Sequence, residues 1–521
     1  MTQAITQSTP QNAPQGITKR ITIDPITRLE GHGKIEIFLD GAGDVSQAYF
    51  QIPELRGFES FCVGRQAEDM PNVTNRICGV CPEAHHMASI KAVEAAFGVE
   101  CLPAARRIRE LIYMAFFVAD HTTHFYCLGG PDFIVGIDAP AADRNLLGVI
   151  KKVGMDVASQ VMHARQRNHD LIKRLGGRGI HLCGAVPGGW SVSLTPEMRT
   201  DFLAYADQNV KFAQFSLKIF DDIVLKNPAN RDRVLSDLYR HETHSMGMVR
   251  GRNGNGDGHG ADYAPDFYDG QIRVIDTVGQ QVALFDPSDY LNHIAERVEP
   301  WSYLKFPYLK HFGWHGFVDG QTSGVYQATP LSRLNVADSM ATPLAQAEFE
   351  RFYDTFDARG KASNGRNLPV HHRLATHWAR LIEVLYAAER MQELLRHPDI
   401  CDPHVRQVVQ ARAGVGIASV EAPRGTLTHH YETDDNGILT RVNLVVGTTN
   451  NNAAISLSIM KAARGLIKGG VFDEGILNQV EMAFRLYDPC CSCATHALGQ
   501  APLQLTLRNA RGDVLDRVTR G

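Results

Sequence analysis

Apolar and polar residues alternate along Lys34–Asp40 (KIEIFLD) and Val45–Ile52 (VSQAYFQI), with the turn-forming run DGAGD at 40–44 between them. Alternation with β-branched and aromatic residues predicts two strands joined as a hairpin between Arg20 and Pro53. The period then changes. Apolar residues recur at three and four through 88–98, 103–127, 145–175, 197–225, 371–396, 452–468 and 473–487, and several of these runs exceed twenty residues. Such spacing predicts long helices. Their apolar faces have to be buried on one another, which makes a bundle. A second hairpin is predicted at 270–286, where QIRVIDTV and QQVALFD flank Gly279, and a third at 424–447 around the turn DDNG. The expected fold is mainly α with small β-sheets at its edges, an α+β protein with a long-helix core.

Between these elements there is no internal repeat and no clean linker. Residues 1–18 are polar and rich in Gln, Thr and Pro, without an apolar run of signal-peptide length, and are expected to be a disordered tail. The most apolar helical run, Leu111–Val118, meets Asp120 and is too short to cross a bilayer, so no transmembrane segment is expected. Gly251–Gly260 has the glycine content of a phosphate-binding loop but no strand-to-helix context, and is expected to be a flexible surface loop. The histidines of His241-Glu242-Thr243-His244 are three apart rather than four, and the segment is expected on a helix surface.

With 44% hydrophobic and 21% charged residues in 521, the chain can bury a large core. A net charge of -4 and a pI near 6.6 give no reason to expect nucleic acid as a partner. Six of the ten cysteines, at 62, 101, 127, 183, 401 and 491, lie outside any Cys-x-x-Cys pairing. Scattered thiols of this kind suit a reducing compartment, and a cytoplasmic location is expected.

The other four form two pairs, in Arg76-Ile77-Cys78-Gly79-Val80-Cys81-Pro82-Glu83-Ala84-His85 and in Asp488-Pro489-Cys490-Cys491-Ser492-Cys493-Ala494-Thr495-His496. Two residues between thiolates let one short turn aim both sulfurs at a single ion, so two pairs supply four soft ligands. Zinc modules usually keep their pairs within a few tens of residues, because the metal holds a small unit together. Here the pairs stand at opposite ends of the chain. A site that needs the whole fold to assemble it points to function rather than to a staple, with zinc, copper(I), nickel or iron as candidate ions.

The two stretches resemble the signature motifs of the large, catalytic subunit of nickel-iron hydrogenases, Arg-x-Cys-Gly-x-Cys-x-x-x-His early and Asp-Pro-Cys-x-x-Cys-x-x-His late. Similarity continues at ITIDPITRLEGHGKI, LRGFE, ADHTTHFY, APRGTLTHHYE and NLVVGTTNNN, so it covers nearly the whole chain. The resemblance is strongest to the cytosolic, multisubunit branch. It implies one large-subunit domain over 19–496, and reversible heterolytic cleavage of dihydrogen at a nickel-iron centre whose iron carries carbon monoxide and cyanide. Carried over residue by residue, it makes Cys78 and Cys490 terminal nickel ligands, while Cys81 and Cys493 bridge nickel and iron. Pro423 and Arg424 match the element that overhangs the metals, and Thr448 matches a hydroxyl donor to cyanide, although Gly447 stands where a proline is common. Asp120 and Asp488 match the carboxylates that hold the arginine. Glu30 matches the glutamate that exchanges a proton with a nickel-bound cysteine. Glu59, His496 and the carbonyl of Leu444 match the ligands of a hard cation, usually magnesium.

The resemblance also implies partners. Beyond the two pairs no cysteine spacing suits an iron-sulfur cluster, so electrons must leave through an iron-sulfur small subunit, then through flavin or further iron-sulfur subunits. A maturation chaperone and an endopeptidase are expected too, the latter cutting His496-Ala497 to remove residues 497–521. The alternative for that segment is a permanent hairpin of LQLTL and VLDRV. Three other readings stay open: a dihydrogen sensor with the same site, a non-catalytic quinone-oxidoreductase relative, which would lack the four cysteines, and a zinc-stabilised protein.

Overall fold

The computed structural model describes residues 4–8, 19–250, 263–495, 503–509 and 513–520. Its centre is a group of long helices: α1 (Pro82–Phe97), α2 (Pro103–Thr123), α3 (Met155–Gly176), α4 (Pro196–Phe220) and α5 (Thr376–Arg396). The last four lie against one another, with α5 packed on both α2 and α4 and α3 on α2. Each α2–α5 face is long enough to bury a continuous apolar stripe, which is what the helical period demanded.

The runs break where their chemistry requires it. Proline at the first helical position starts α1 six residues earlier than the apolar period suggests. Gly154, at φ 87, separates α3 from the short helix Leu146–Val153 within the run expected as one. Past α2, His124–Gly129 continues as a π-turn. Two further helices close the chain, α6 (Asn452–Leu466) and α7 (Glu474–Arg485), the latter capped by the Asp473 side chain, which accepts from Ile476 N.

Sheets flank the helices. The N-terminal sheet runs β1 (Ala4–Ser8), β2 (Lys19–Asp24), β3 (Lys34–Leu39), β4 (Val45–Gln51), all antiparallel. The hairpin expected before Pro53 is β3–β4. Within the expected disordered tail, residues 4–8 form strand β1 instead, because they pair with β2; residues 1–3 and 9–18 lie outside the described ones. The hairpin at 270–286 is Gln271–Ile275 with Gln281–Phe285, in a sheet that also contains His244–Val249. A third sheet, β5 (Gly414–Ala422), β6 (Gly425–Thr433) and β7 (Leu439–Val445), lies against α1. Its β6–β7 pair is the expected third hairpin.

One expectation is corrected. His241–His244 is no helix surface: His244 opens a strand, and both imidazoles are buried, His241 Nε2 lying 2.7 Å from Ser458 Oγ. All six residues of that strand are buried, so nothing in their pattern alternates. The loop expected at 251–260 lies outside the described residues. Residues 503–508 and 514–520 pair as an antiparallel hairpin, as their alternation allowed.

Candidate metal centre

Both cysteine pairs sit in the principal apolar cluster, each thiol at most 3% exposed. The first pair precedes α1. Cys81 stands at its N-cap position, and the backbone N–H groups of Val80 and Cys81 donate to Cys78 Sγ at 3.3 and 3.1 Å. The amide donors favour a thiolate at Cys78, whereas at Cys81 hydrogen bonds from Cys490 and Cys493 pull down but Cys78 and burial outweigh them and push the thiol up to about 11. The second pair follows α7 through a turn at Asp488, a non-glycine residue with φ 53. Beyond it Cys490 bridges to Glu30, and Cys491 N donates to Glu30 O at 2.9 Å. Gly31, at φ 79, lets the strands approach this closely, since a Cβ there would lie 3.0 Å from Cys491 Cβ and Ser492 N.

The four sulfurs lie within 4.8 Å of one another. Cys78 and Cys490 are 3.3 Å apart, Cys81 and Cys493 3.5 Å, Cys490 and Cys493 2.8 Å. Sulfurs bound to one ion at about 2.3 Å are at most about 4.6 Å apart, so the four close on one ion with shifts of a few tenths of an ångström. Burial pushes the Cys490 and Cys493 thiols well up. For Cys78 burial acts the same way, but hydrogen bonds from the other three thiols and the charge of Arg424 outweigh it and hold it well below the ordinary range. The donor set, soft and partly ionised, fits a thiophilic metal.

Arg424 projects over this cluster from the two-residue turn between β5 and β6, where Ala422 pairs with Gly425. Its Nη2 lies 2.8 Å from Asp488 Oδ2, Nη1 lies 3.3 Å from Asp120 Oδ1, and Nε donates to Asp488 O at 2.7 Å. All three side chains are buried. Burial alone would lower the guanidinium pKa, yet Asp120 and Asp488 raise it, so it stays a cation. Burial pushes the Asp488 carboxyl up to about 7 against the pull of Arg424, and Asp120 upward as well. Pro423 forms the other half of the turn, and its carbonyl accepts from Arg333.

Thr448 Oγ1 accepts from Cys490 N at 3.1 Å, which leaves its own proton to donate. Gly447 is explained by the same crowding: a Cβ there would lie 3.0 Å from Gly425 O. Glu30 Oε2 accepts from Cys490 Sγ at 2.9 Å and from Ser492 N at 3.2 Å. Glu59 and Leu444 also meet, but through the Leu444 N–H, which donates to Glu59 Oε1 at 2.7 Å, with Lys305 Nζ 3.9 Å from Oε2. His496 lies outside the described residues.

Several neighbours were not among the residues expected at the site. His85 closes the first motif, and its Nε2 lies 3.6 Å from Cys493 Sγ; its Nδ1 is 3.3 Å from His429 Nε2, whose Nδ1 is in turn 2.7 Å from Tyr431 Oη. Glu83 is fully buried, and desolvation pushes it up to about 8. It lines a cavity of about 450 Å³ together with Glu30, Asp120, Arg424 and Phe116, and the exposed side chains of Val80 and Ile180 stand at the same cavity.

A family model described as nickel-dependent hydrogenase matches residues 56–176 and 324–496, and one described as HoxL-like matches 20–55. The chain is 44% identical to an F420-non-reducing hydrogenase iron-sulfur subunit of Archaeoglobus profundus, over 96% of this chain and 99% of that one. It is 38% identical to the NAD-reducing hydrogenase HoxS subunit beta of Cupriavidus necator, over 97% and 100%. The solved structure of an NAD+-reducing [NiFe]-hydrogenase in the H2-reduced state superposes with a TM-score of 0.82 at 36% identity, covering 92% of this chain and all of that one. A buried four-cysteine cluster built from both chain ends, inside a fold matched over nearly its full length, places the chain in the nickel-dependent hydrogenase family as a catalytic large subunit of nickel-iron type.

Proposed function

We propose that Cys78 and Cys490 are terminal nickel ligands, that Cys81 and Cys493 bridge nickel to an iron carrying carbon monoxide and cyanide, and that the chain's own residues manage the proton and the charge. The observation that carries this is the contact of Glu30 Oε2 with Cys490 Sγ at 2.9 Å, a base within hydrogen-bond reach of one sulfur of the cluster. Bound there, a nickel-iron centre supplies the polarisation that splits dihydrogen and takes up its electrons. Glu30 then accepts the proton from Cys490 Sγ. Arg424, fixed by Asp120 and Asp488, presents donors over the cluster and beside Pro423, and Thr448 offers its hydroxyl proton to a diatomic ligand. A structural zinc site is disfavoured because such sites are closed, whereas a cavity of about 450 Å³ lined by Arg424 and Glu30 adjoins this one.

Glu59, the carbonyl of Leu444 and His496 would hold a magnesium ion, oxygen-rich ligation being what that ion prefers. Electrons leave through an iron-sulfur small subunit. In support, the six other cysteines, all among the described residues, join no group of three or more metal-binding side chains there. Val80 and Ile180, exposed beside the cavity, suit a partner's cover. Flavin or further iron-sulfur subunits follow it, serving NAD or another acceptor; relatives named as single subunits, one of an NAD-reducing hydrogenase, support an assembly of several chains. The cysteines scattered singly outside the two pairs favour a reducing cytoplasm, and no described helix is long and apolar enough to cross a membrane.

Nickel, iron and magnesium analysis of the purified complex, with an infrared search for carbonyl and cyanide bands, tests the reading. Nickel and iron with both bands are expected; zinc alone would overturn it. Intact mass of the same sample reports the maturation step: loss of 497–521 is expected once nickel is loaded, and full activity in a chain ending at Gly521 would rule out the endopeptidase. Glu30→Gln is expected to keep its metals and lose most proton-deuterium exchange, since an amide can neither take nor release a proton at that point. Unchanged exchange in the metallated variant would move the relay elsewhere.

A further inference from the structure

The residues that join α7 to the second cysteine pair have three of their carbonyls held by side chains from three different elements. His124 Nε2, at the end of α2, donates to Arg485 O at 2.9 Å. Arg380 Nη2, on α5, donates to Leu486 O at 3.1 Å. Arg424 Nε, on the β5–β6 turn, donates to Asp488 O at 2.7 Å. The last carbonyls of a helix have no partner within it and form the negative end of its dipole, so donors and cations belong there. The turn past α7 is tight: Asp488 adopts φ 53, a left-handed conformation uncommon for residues with a Cβ and visited most readily among them by Asp and Asn.

Arg380 is fully buried, and its bonding differs from that of a structural arginine nearby. Arg333, equally buried, donates to Glu383 twice, to Glu421, and to the carbonyls of Ala422 and Pro423. Arg380 donates to the Leu486 carbonyl, and its Nε and Nη1 have no acceptor among the described residues. Leaving two donors of a buried cation unmatched is costly. Its charge acts on the buried carboxyl groups of Asp120 and Asp488, which Arg424 also engages.

We propose that Arg380 is a positioning residue for the hydrogenase reaction: by holding the Leu486 carbonyl it sets the turn at Asp488, and through that turn the aim of Cys490 and the seat of Arg424. The proposal rests on the nickel reading above. His124 acts beside it on the preceding carbonyl.

The test uses the complete enzyme with its partner subunits and compares Arg380→Met and Arg380→Lys for nickel content, nickel paramagnetic-resonance spectrum, kcat and KM for dihydrogen. Arg380→Met is expected to load nickel, shift the spectrum and lose roughly tenfold or more in kcat with KM little changed, because displacement of reacting groups by an ångström costs up to about a hundredfold. Arg380→Lys is expected to restore the wild-type spectrum and most of the rate, one ammonium sufficing for one carbonyl. A wild-type spectrum and rate in Arg380→Met overturns the proposal, as does a lysine variant no better than methionine. If Arg380→Met fails to assemble, His124→Phe, which removes the neighbouring donor without removing a charge from Asp120 or Asp488, is expected to shift the same spectrum, and an unshifted one overturns the proposal. Wild-type enzyme without nickel would sink the nickel reading instead.

Discussion

Serine in place of Cys78, Cys81, Cys490 or Cys493 is expected to abolish dihydrogen turnover in each single variant, the largest effect any one-atom change in this chain should have. The sulfurs converge from positions 412 residues apart, and each is buried. A serine hydroxyl ionises far less readily than a thiol and is a hard donor, so it neither charges at neutral pH nor suits nickel. Nickel content measured alongside the rate separates lost binding from lost chemistry. Full turnover in all four variants would dismiss the ligand assignment outright.

Arg424→Lys is expected to cost on the order of a hundredfold in turnover, which is roughly 2.7 kcal/mol of transition-state stabilisation. The charge survives that change, but the fork does not. Arg424 spends Nε on the Asp488 carbonyl, Nη2 on the Asp488 carboxylate and Nη1 on Asp120. A lysine ammonium is a point charge with three rotatable donors and cannot span three acceptors while facing the metals. Nickel content should stay at the wild-type level, because the sulfurs are untouched. A lysine variant running at the wild-type rate would reduce the guanidinium to a structural prop.

The sequence made some of this legible, and the reasons differ by element. Helices α2 to α5 were visible because each lays an apolar stripe on its neighbours, and a stripe is periodic. Strand β5 was missed, and so was His244–Val249, because the second half of β5 and all of His244–Val249 are buried on both faces and lose the alternation that marks a strand. At the site, Cys-x-x-Cys is local geometry and shows itself as spacing. Asp120 and Arg424 were found only through resemblance, since 304 residues separate them and nothing in either segment names the other. Nothing in the spacing around Arg380, His124 or Glu83 names a partner, and only packing reveals what they face. His85 stood in the motif itself, one helical turn past Cys81, and that spacing could have marked it as a neighbour of the cluster.

The bridge between Glu30 and Cys490 spans 460 residues of sequence. A ribosome adding about 5–20 residues per second needs roughly 20–80 s to pass from Cys81 to Cys493. For that whole interval the early pair exists without the late one, as two thiols at the head of α1. A four-sulfur cage cannot form before Cys493 has been made. Until then Cys78 and Cys81 are open to oxidation or to the wrong metal, so the time of greatest hazard for this centre comes before the protein has finished being made.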